Sequence, residues 1–239
     1  MPATPPVRVL RGRKPTIDAD RAASERLLEV AAEGQQAVRV WTPHKQVVFG
    51  RRDARREGYE RAREAADGRG FPPVERSVGG RVVAYDGAQV LAFARTEPVA
   101  DFRRGTDERY ERLTADVESA LTDLGVEPVR GEPDDSFCPG AHSLSLEVGG
   151  SLRKVVGIAQ RVTSDAALVS GILLVEATDE LRGVLEAVYA ALEVPFDPKS
   201  VGDVADATAV SSERVRRVLE SALVGEREHV LEDLEDLEA

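Results

Sequence analysis

The chain is poor in the residues that staple a fold covalently or through metal. It has one cysteine in 239 residues, so no internal disulfide can form, and no Cys/His group has zinc-ligand spacing. A lone thiol is the default of a reducing compartment. The opening Met1-Pro2-Ala3-Thr4-Pro5-Pro6 has no apolar core, and nowhere do about 18 apolar residues run together, which argues against export and against a membrane span. The expected location is cytoplasmic. Aromatic residues make up only 5% of the chain, and lysine is confined to Lys14, Lys45, Lys154 and Lys199; the remaining basic residues are arginine. With 43 acidic against 32 basic residues the formal charge is −11, which opposes broad contact with a phosphate backbone, so nucleic acid is not an expected partner. An acid-rich, lysine-poor surface resembles that of proteins in a salty cytoplasm. Where lysine is this scarce, a lysine inside an apolar run stands out.

What is present is enough for a packed core: 42% of residues are hydrophobic. Helical spacing is expected over 18–33, with Asp18 as cap and Gly34 as stop, over 55–67, 106–124 and 180–192, and again over 211–223 and 227–237. Strands are expected at 38–41, 46–49, 74–76, 81–84 and 89–95, followed by a meander over 143–148, 153–161 and 167–176 with Gly149-Gly150 at one turn. Hairpins outnumber helical crossovers in this order. The expected class is therefore α+β, with a mixed, mostly antiparallel sheet flanked by helices. Pro195 and Pro198 suggest a boundary, dividing a main domain of 1–193 from a small, acidic, helical extension of 194–239.

Two segments hold candidate chemistry. Cys138 lies in Asp135-Ser136-Phe137-Cys138-Pro139-Gly140, among polar and turn-forming residues. A free cysteine is often a small buried hydrophobe. Here the Pro-Gly pair stops regular structure and lets backbone N–H groups gather as an oxyanion pocket would require. A thiol needs a nearby cation or base to react as thiolate at neutral pH, and Lys154 and His142 are the nearest in sequence. Lys154 sits in the apolar run 153–161, where an ammonium is costly to bury without a partner; it reads either as an outward residue or as a ligand-directed one. Gly157 in the same run marks a close backbone approach. His142 reads as a surface histidine or an auxiliary base. The second segment is Arg76-Ser77-Val78-Gly79-Gly80-Arg81, either a hairpin turn or a cradle of amides and arginines for an anionic or carbonyl-bearing ligand. Arg51, Arg52, Arg55 and Arg56 form either a solvated face or a dock for an acidic carrier protein.

Together these segments resemble the lipoate-protein ligase and octanoyltransferase superfamily, which shares its fold with biotin-protein ligases. The resemblance runs from about Ala37 to Glu176. Val38-Arg39-Val40-Trp41 and Val47-Val48-Phe49-Gly50-Arg51 are similar to its early strand pair. Arg76-Ser77-Val78-Gly79-Gly80 with Tyr85-Asp86 is similar to its acyl-binding loop, and Lys154-Val155-Val156-Gly157-Ile158-Ala159-Gln160 to its lysine motif. Ser136-Phe137-Cys138-Pro139-Gly140, followed by Leu144-Ser145, resembles the cysteine loop of the branch that moves octanoyl groups through an enzyme thioester. Tyr85 stands where the family has histidine, Arg81 where it has a small residue, and Gln89-Val90-Leu91 where it has an asparagine.

The resemblance implies an acyltransferase in which Cys138 and Lys154 are catalytic and Arg76, Ser77, Gly79, Gly80, Gly157 and Ala159 line the acyl or head-group site, with His142 as a possible auxiliary. The implied donor is acyl carrier protein or an octanoylated or lipoylated H protein. The acceptor is a lysine of a lipoyl-domain protein, and no cofactor is required. One alternative is an ATP- and Mg-dependent lipoate ligase, in which Lys154 would hold the acyl-adenylate. Another is a non-catalytic acyl or lipoyl-domain binding module.

Overall fold

Strand pairing distributes the chain over two sheets in the computed structural model, which describes residues 5–76 and 80–234. The chain enters through β1 (Val7–Arg11), α1 (Ile17–Ala32), β2 (Ala37–Trp41) and β3 (Gln46–Phe49). It continues through α2 (Tyr59–Asp67), β4 (Pro73–Glu75), β5 (Val83–Tyr85), β6 (Val90–Pro98) and α3 (Thr106–Asp123). The two-residue β7 (Val129–Arg130) leads into the meander β8 (Ser143–Val148), β9 (Ser151–Val162) and β10 (Ala166–Leu174). Then come α4 (Asp179–Ala191), α5 (Ser212–Val224) and β11 (His229–Asp233). One sheet has the order β11-β1-β2-β6-β10-β9-β8-β7, and the other the order β4-β3-β5. In the large sheet only β11-β1 and β1-β2 are parallel. The sheet is thus mixed and mostly antiparallel, as expected for α+β.

Alternation along the strands decides which helix covers which face. Val38 and Val40 of β2, and Val169 and Leu173 of β10, join Leu113 and Val117 of α3 and Leu219 and Leu223 of α5 in one apolar cluster. Ala37 and Leu168, on the opposite face of the same strands, pack with Leu27 and Leu28 of α1. Further along that second face, Ile172 and Leu174 pack with the small sheet, α2 and α4 through Val48, Ala62 and Val184. The second face is therefore shared between two covers.

Several boundaries differ from the sequence pattern. Thr16, not Asp18, caps α1: its Oγ1 accepts from the Ala19 N–H at 3.2 Å. The second helix begins at Tyr59 because Asp53 closes a turn first, accepting from the Gly50 N–H at 2.9 Å. β5 and β6 form no hairpin, since β5 pairs with β3 and β6 with β2 and β10. Gly149 and Gly150, at φ +60° and +79°, do make the tight β8–β9 turn.

The segment from Val194 is not a separate helical unit. α5 supplies Val215, Leu219 and Leu223 to the main core, and residues 229–233 form a strand paired with β1 rather than the expected helix. The reason is tertiary. β1 offers an edge, and Arg8 grips Glu232 through Nε and Nη2 at 2.7 and 2.5 Å; residues 235–237 of the expected helix lie outside the described residues. Among the described residues no helix is long and apolar enough to cross a membrane.

Candidate functional site

Where α1 and the small sheet divide the second face, they leave a cleft of about 190 Å³. Leu28 of α1 lies at one side, Val48 and Tyr85 of the small sheet at the other, and Ala92, Gly157 and Ile172 of the large sheet contribute to its floor. Cys138 and Arg76 also line it, so an apolar channel leads to a thiol beside a cation.

The cysteine loop is held in a conformation that L-residues resist. Cys138 has φ +42° and Asp135 φ +52°, each costing on the order of 1–2 kcal/mol, so the surroundings must impose them. They do so by hydrogen bonds. The Cys138 N–H donates to the Tyr189 hydroxyl at 2.6 Å, and that hydroxyl donates to the Val82 carbonyl at 3.0 Å. Phe137 is buried and packs with the small-sheet cluster. Two donors converge on Cys138 Sγ: the Arg81 N–H at 3.2 Å and Arg76 Nη2 at 3.3 Å. Arg76 Nη2 also donates to the Arg81 carbonyl at 2.6 Å, which fixes its direction. Burial works to lower the Arg76 pKa, but the neighbouring Cys138 and Tyr85 outweigh it, and the guanidinium is held above its ordinary value. Two N–H donors from outside the cysteine loop thus point at the sulfur.

Gly80 makes this approach possible. At φ +98° it occupies a backbone region that L side chains avoid, and a Cβ there would lie 2.7 Å from Sγ and 2.6 Å from Arg76 Nη2. Gly50 fits as closely on the other side, where a Cβ would stand 2.0 Å from the Gly80 carbonyl oxygen. Behind this layer Asp53, fully buried, pairs with Arg81 at 3.4 Å. Burial pushes its carboxyl up, against the Gly50 N–H and the charges of Arg81 and Arg76.

Lys154 is fully buried on β9 next to a register irregularity between β8 and β9. Its Nζ donates to Glu132 Oε2 at 2.7 Å, the Phe137 carbonyl at 2.9 Å and the Cys138 carbonyl at 2.8 Å. An ammonium has three N–H donors, and these contacts use all three. Glu132 also accepts from the Gly140 N–H and the Ser143 hydroxyl, both at 2.8 Å. Burial pushes its carboxyl up, yet the bond to Lys154, its charge, and the Ser143 and Gly140 donors together leave it below the usual carboxylate value. The supposed extension buttresses the same place: Gly202 N–H donates to the Lys154 carbonyl at 2.9 Å and Asp197 N–H to the Asp135 carbonyl at 2.8 Å.

The structure thus brings Cys138, Arg76, Gly80 and Lys154 together, with the lysine on the loop backbone rather than on the sulfur. Gly157 and Ala159 line the cleft, and a Cβ on Gly157 would come within 3.3 Å of the Lys154 Cε. Ser77 and Gly79 lie outside the described residues. The ring of His142 stacks on Tyr110, centroids 3.8 Å apart, rather than bonding to the sulfur. The expected gathering of the loop's own amides is also not found, because Pro139 has no N–H and those of Cys138 and Gly140 serve Tyr189 and Glu132. The N–H at the sulfur comes from Arg81 instead. Sequence reasoning missed Glu132, Tyr189 and Asp53. Glu132 had a signal in the cost of burying Lys154 without a counter-charge, but several acids precede Cys138 and nothing in the chain order selects among them. Among the described residues no group of three or more His, Cys, Asp or Glu could hold a metal ion.

Comparison with known proteins agrees with the architecture. Residues 19–223 match the family model described as the lipoyl protein ligase A/B catalytic domain. An octanoyl-[GcvH]:protein N-octanoyltransferase of Exiguobacterium sp. is 30% identical over 140 residues, 59% of this chain and 48% of that protein. A lipoyl-[GcvH]:protein N-lipoyltransferase of Listeria monocytogenes is 26% identical over 148 residues, 62% of this chain and 51% of that protein. The chain thus spans about half the length of these curated relatives. A crystal structure of lipoate-protein ligase A bound with ATP superposes with a TM-score of 0.75 at 19% identity, covering 95% of this chain and 89% of that one, which shows a shared fold.

Proposed function

Because the chain belongs to the lipoyl protein ligase A/B catalytic domain family, we propose that it transfers an octanoyl or lipoyl group to a lysine of a lipoyl-domain protein through a thioester on Cys138. The observation that carries this reading is the convergence of the Arg81 N–H and the Arg76 guanidinium on Sγ at the apolar cleft. The sulfur attacks the donor's acyl carbon, forming a C–S bond. The bond to the leaving group breaks, and that group takes up the proton lost by the Cys138 thiol, departing as a thiol from a carrier thioester or as an amine, which solvent then protonates, from an octanoylated H protein. The acceptor amine then attacks the thioester: a C–N bond forms, the C–S bond breaks, and the amine proton passes to solvent. Converting a thioester to an amide is downhill, so this second half needs no ATP. The alkyl chain occupies the cleft, where it is removed from water.

Lys154 holds the loop that presents the sulfur, with all three of its donors engaged within the protein. A lysine so committed supports the thioester route over an adenylate held by that ammonium. Names of the relatives point to H protein as donor. Intact-mass measurement after exposure to octanoylated H protein, octanoyl carrier protein, or lipoate with ATP decides the route. An octanoyl adduct without ATP, absent from Cys138→Ala, is expected; no adduct, or one that survives the substitution, overturns the proposal.

A further inference from the structure

The turn after β3 carries charge that the other described residues leave unanswered. Arg51, Arg52 and Arg55 are exposed, and among the described residues their guanidinium groups make no hydrogen bond, ion pair or ring contact. Arg214 is the one other arginine of which this is true among the described residues. This is unexpected in a chain with 43 acids for 32 bases, where exposed arginines elsewhere find carboxylates easily. Arg130 holds Glu111 and Glu118, and Arg112 holds Glu97. Within the turn itself, Asp53 is buried against Gly50 and Arg81, and Arg56 faces inward, donating to the Leu192 and Glu193 carbonyls at 2.7 and 3.1 Å. Glu57 is exposed and forms no ion pair with the three.

The turn is also ordered and close to the thiol. The Asp53 and Ala54 N–H groups donate to the Gly50 carbonyl at 3.0 and 3.3 Å, and the Arg56 N–H donates to the Asp53 carbonyl at 3.0 Å. Gly50 abuts Gly80, and Gly80 abuts Sγ, so the arginine turn is separated from the sulfur by those two close contacts. Three guanidiniums with no partner among the described residues, on a fixed turn, match carboxylates presented by a partner, and such charges act mainly on encounter and orientation.

We propose that Arg51, Arg52 and Arg55 form the docking surface for the acidic face of a carrier protein that brings an acyl group to Cys138. This deepens the reading of Cys138 as the acyl-bearing thiol and rests on it. The test compares wild type with Arg51→Ala/Arg52→Ala/Arg55→Ala, using octanoylated H protein as a protein donor and the octanoyl thioester of N-acetylcysteamine as a small uncharged one. The triple variant is expected to raise KM for the protein donor about tenfold, keep kcat, and lose most of the salt dependence of kcat/KM. Acylation of Cys138 by the small thioester should be unchanged. An unaltered KM and salt dependence with the protein donor overturns the docking surface, as does an equal loss with both donors. An equal loss with octanoyl-CoA but none with H protein would place phosphate rather than carboxylate on the turn and overturn it as well. Calorimetric binding of octanoylated H protein to Cys138→Ala, with and without the three arginines, separates the two ideas. If arginine-dependent binding is present but wild type forms no acyl-enzyme, the thiol reading fails and the docking surface stands.

Discussion

The two faces of the large sheet are covered by different physics. On one, α3 and α5 lay apolar side chains over β2, β6, β9 and β10 without a break. On the other, α1 and the small sheet each cover a part, and the cleft with its thiol lies at the seam. The first face is held by area removed from water, which depends on volume and little on identity. The second buries an ammonium, a carboxylate and backbone carbonyls, each costly alone and tolerable only when paired. Chemistry becomes possible where the cover is incomplete and polar groups must be fixed by one another.

The largest expected effect that tests this contrast is Lys154→Ala. It leaves Glu132 without its counter-charge and the Phe137 and Cys138 carbonyls without the ammonium donor, and should cost about 3–5 kcal/mol in urea unfolding. Acylation per folded molecule should fall as well. A loss under about 2 kcal/mol would mean that the seam is not held as described. Leu219→Ala, fully buried on the sealed face, should cost about 2–5 kcal/mol while leaving acylation per folded molecule near wild type. A parallel fall in acylation would show that the two faces are coupled.

The smallest effect expected is that of acid. Glu132 is held below its usual value in the folded chain, so its contribution is complete above the ordinary carboxylate value and disappears as pH falls through the depressed one. As pH falls from the ordinary carboxylate value through the depressed one, the wild type should lose stability that Glu132→Gln does not lose, measured by urea midpoints at each pH. Equal losses in both proteins would remove Glu132 from the seam.

Much of this was legible locally. α1, α3, α4 and α5 follow apolar spacing, and Gly149-Gly150 marks its hairpin, because both signals depend on neighbours a few positions apart. Cys138 and Lys154 stand out by rarity and by context. Their partners do not: Arg76 and Tyr189 are 62 and 51 positions from Cys138, and nothing in chain order pairs them with it. The sulfur's amide donor comes not from its own loop but from Arg81, 57 positions away.

The main helices, the central strands and the placing of one thiol and one lysine in suspect surroundings were determined by the sequence by itself, since those are properties of short stretches and of composition. Tertiary structure alone decided that residues 229–233 become a strand beside β1, that Lys154 reaches the loop backbone instead of the sulfur, and that Arg76 takes the place beside Sγ. The reason is the same in each case. A strand edge, a buried ammonium and a guanidinium are satisfied by whatever the fold brings within about 3 Å, and that distance is set by packing between segments far apart in the chain.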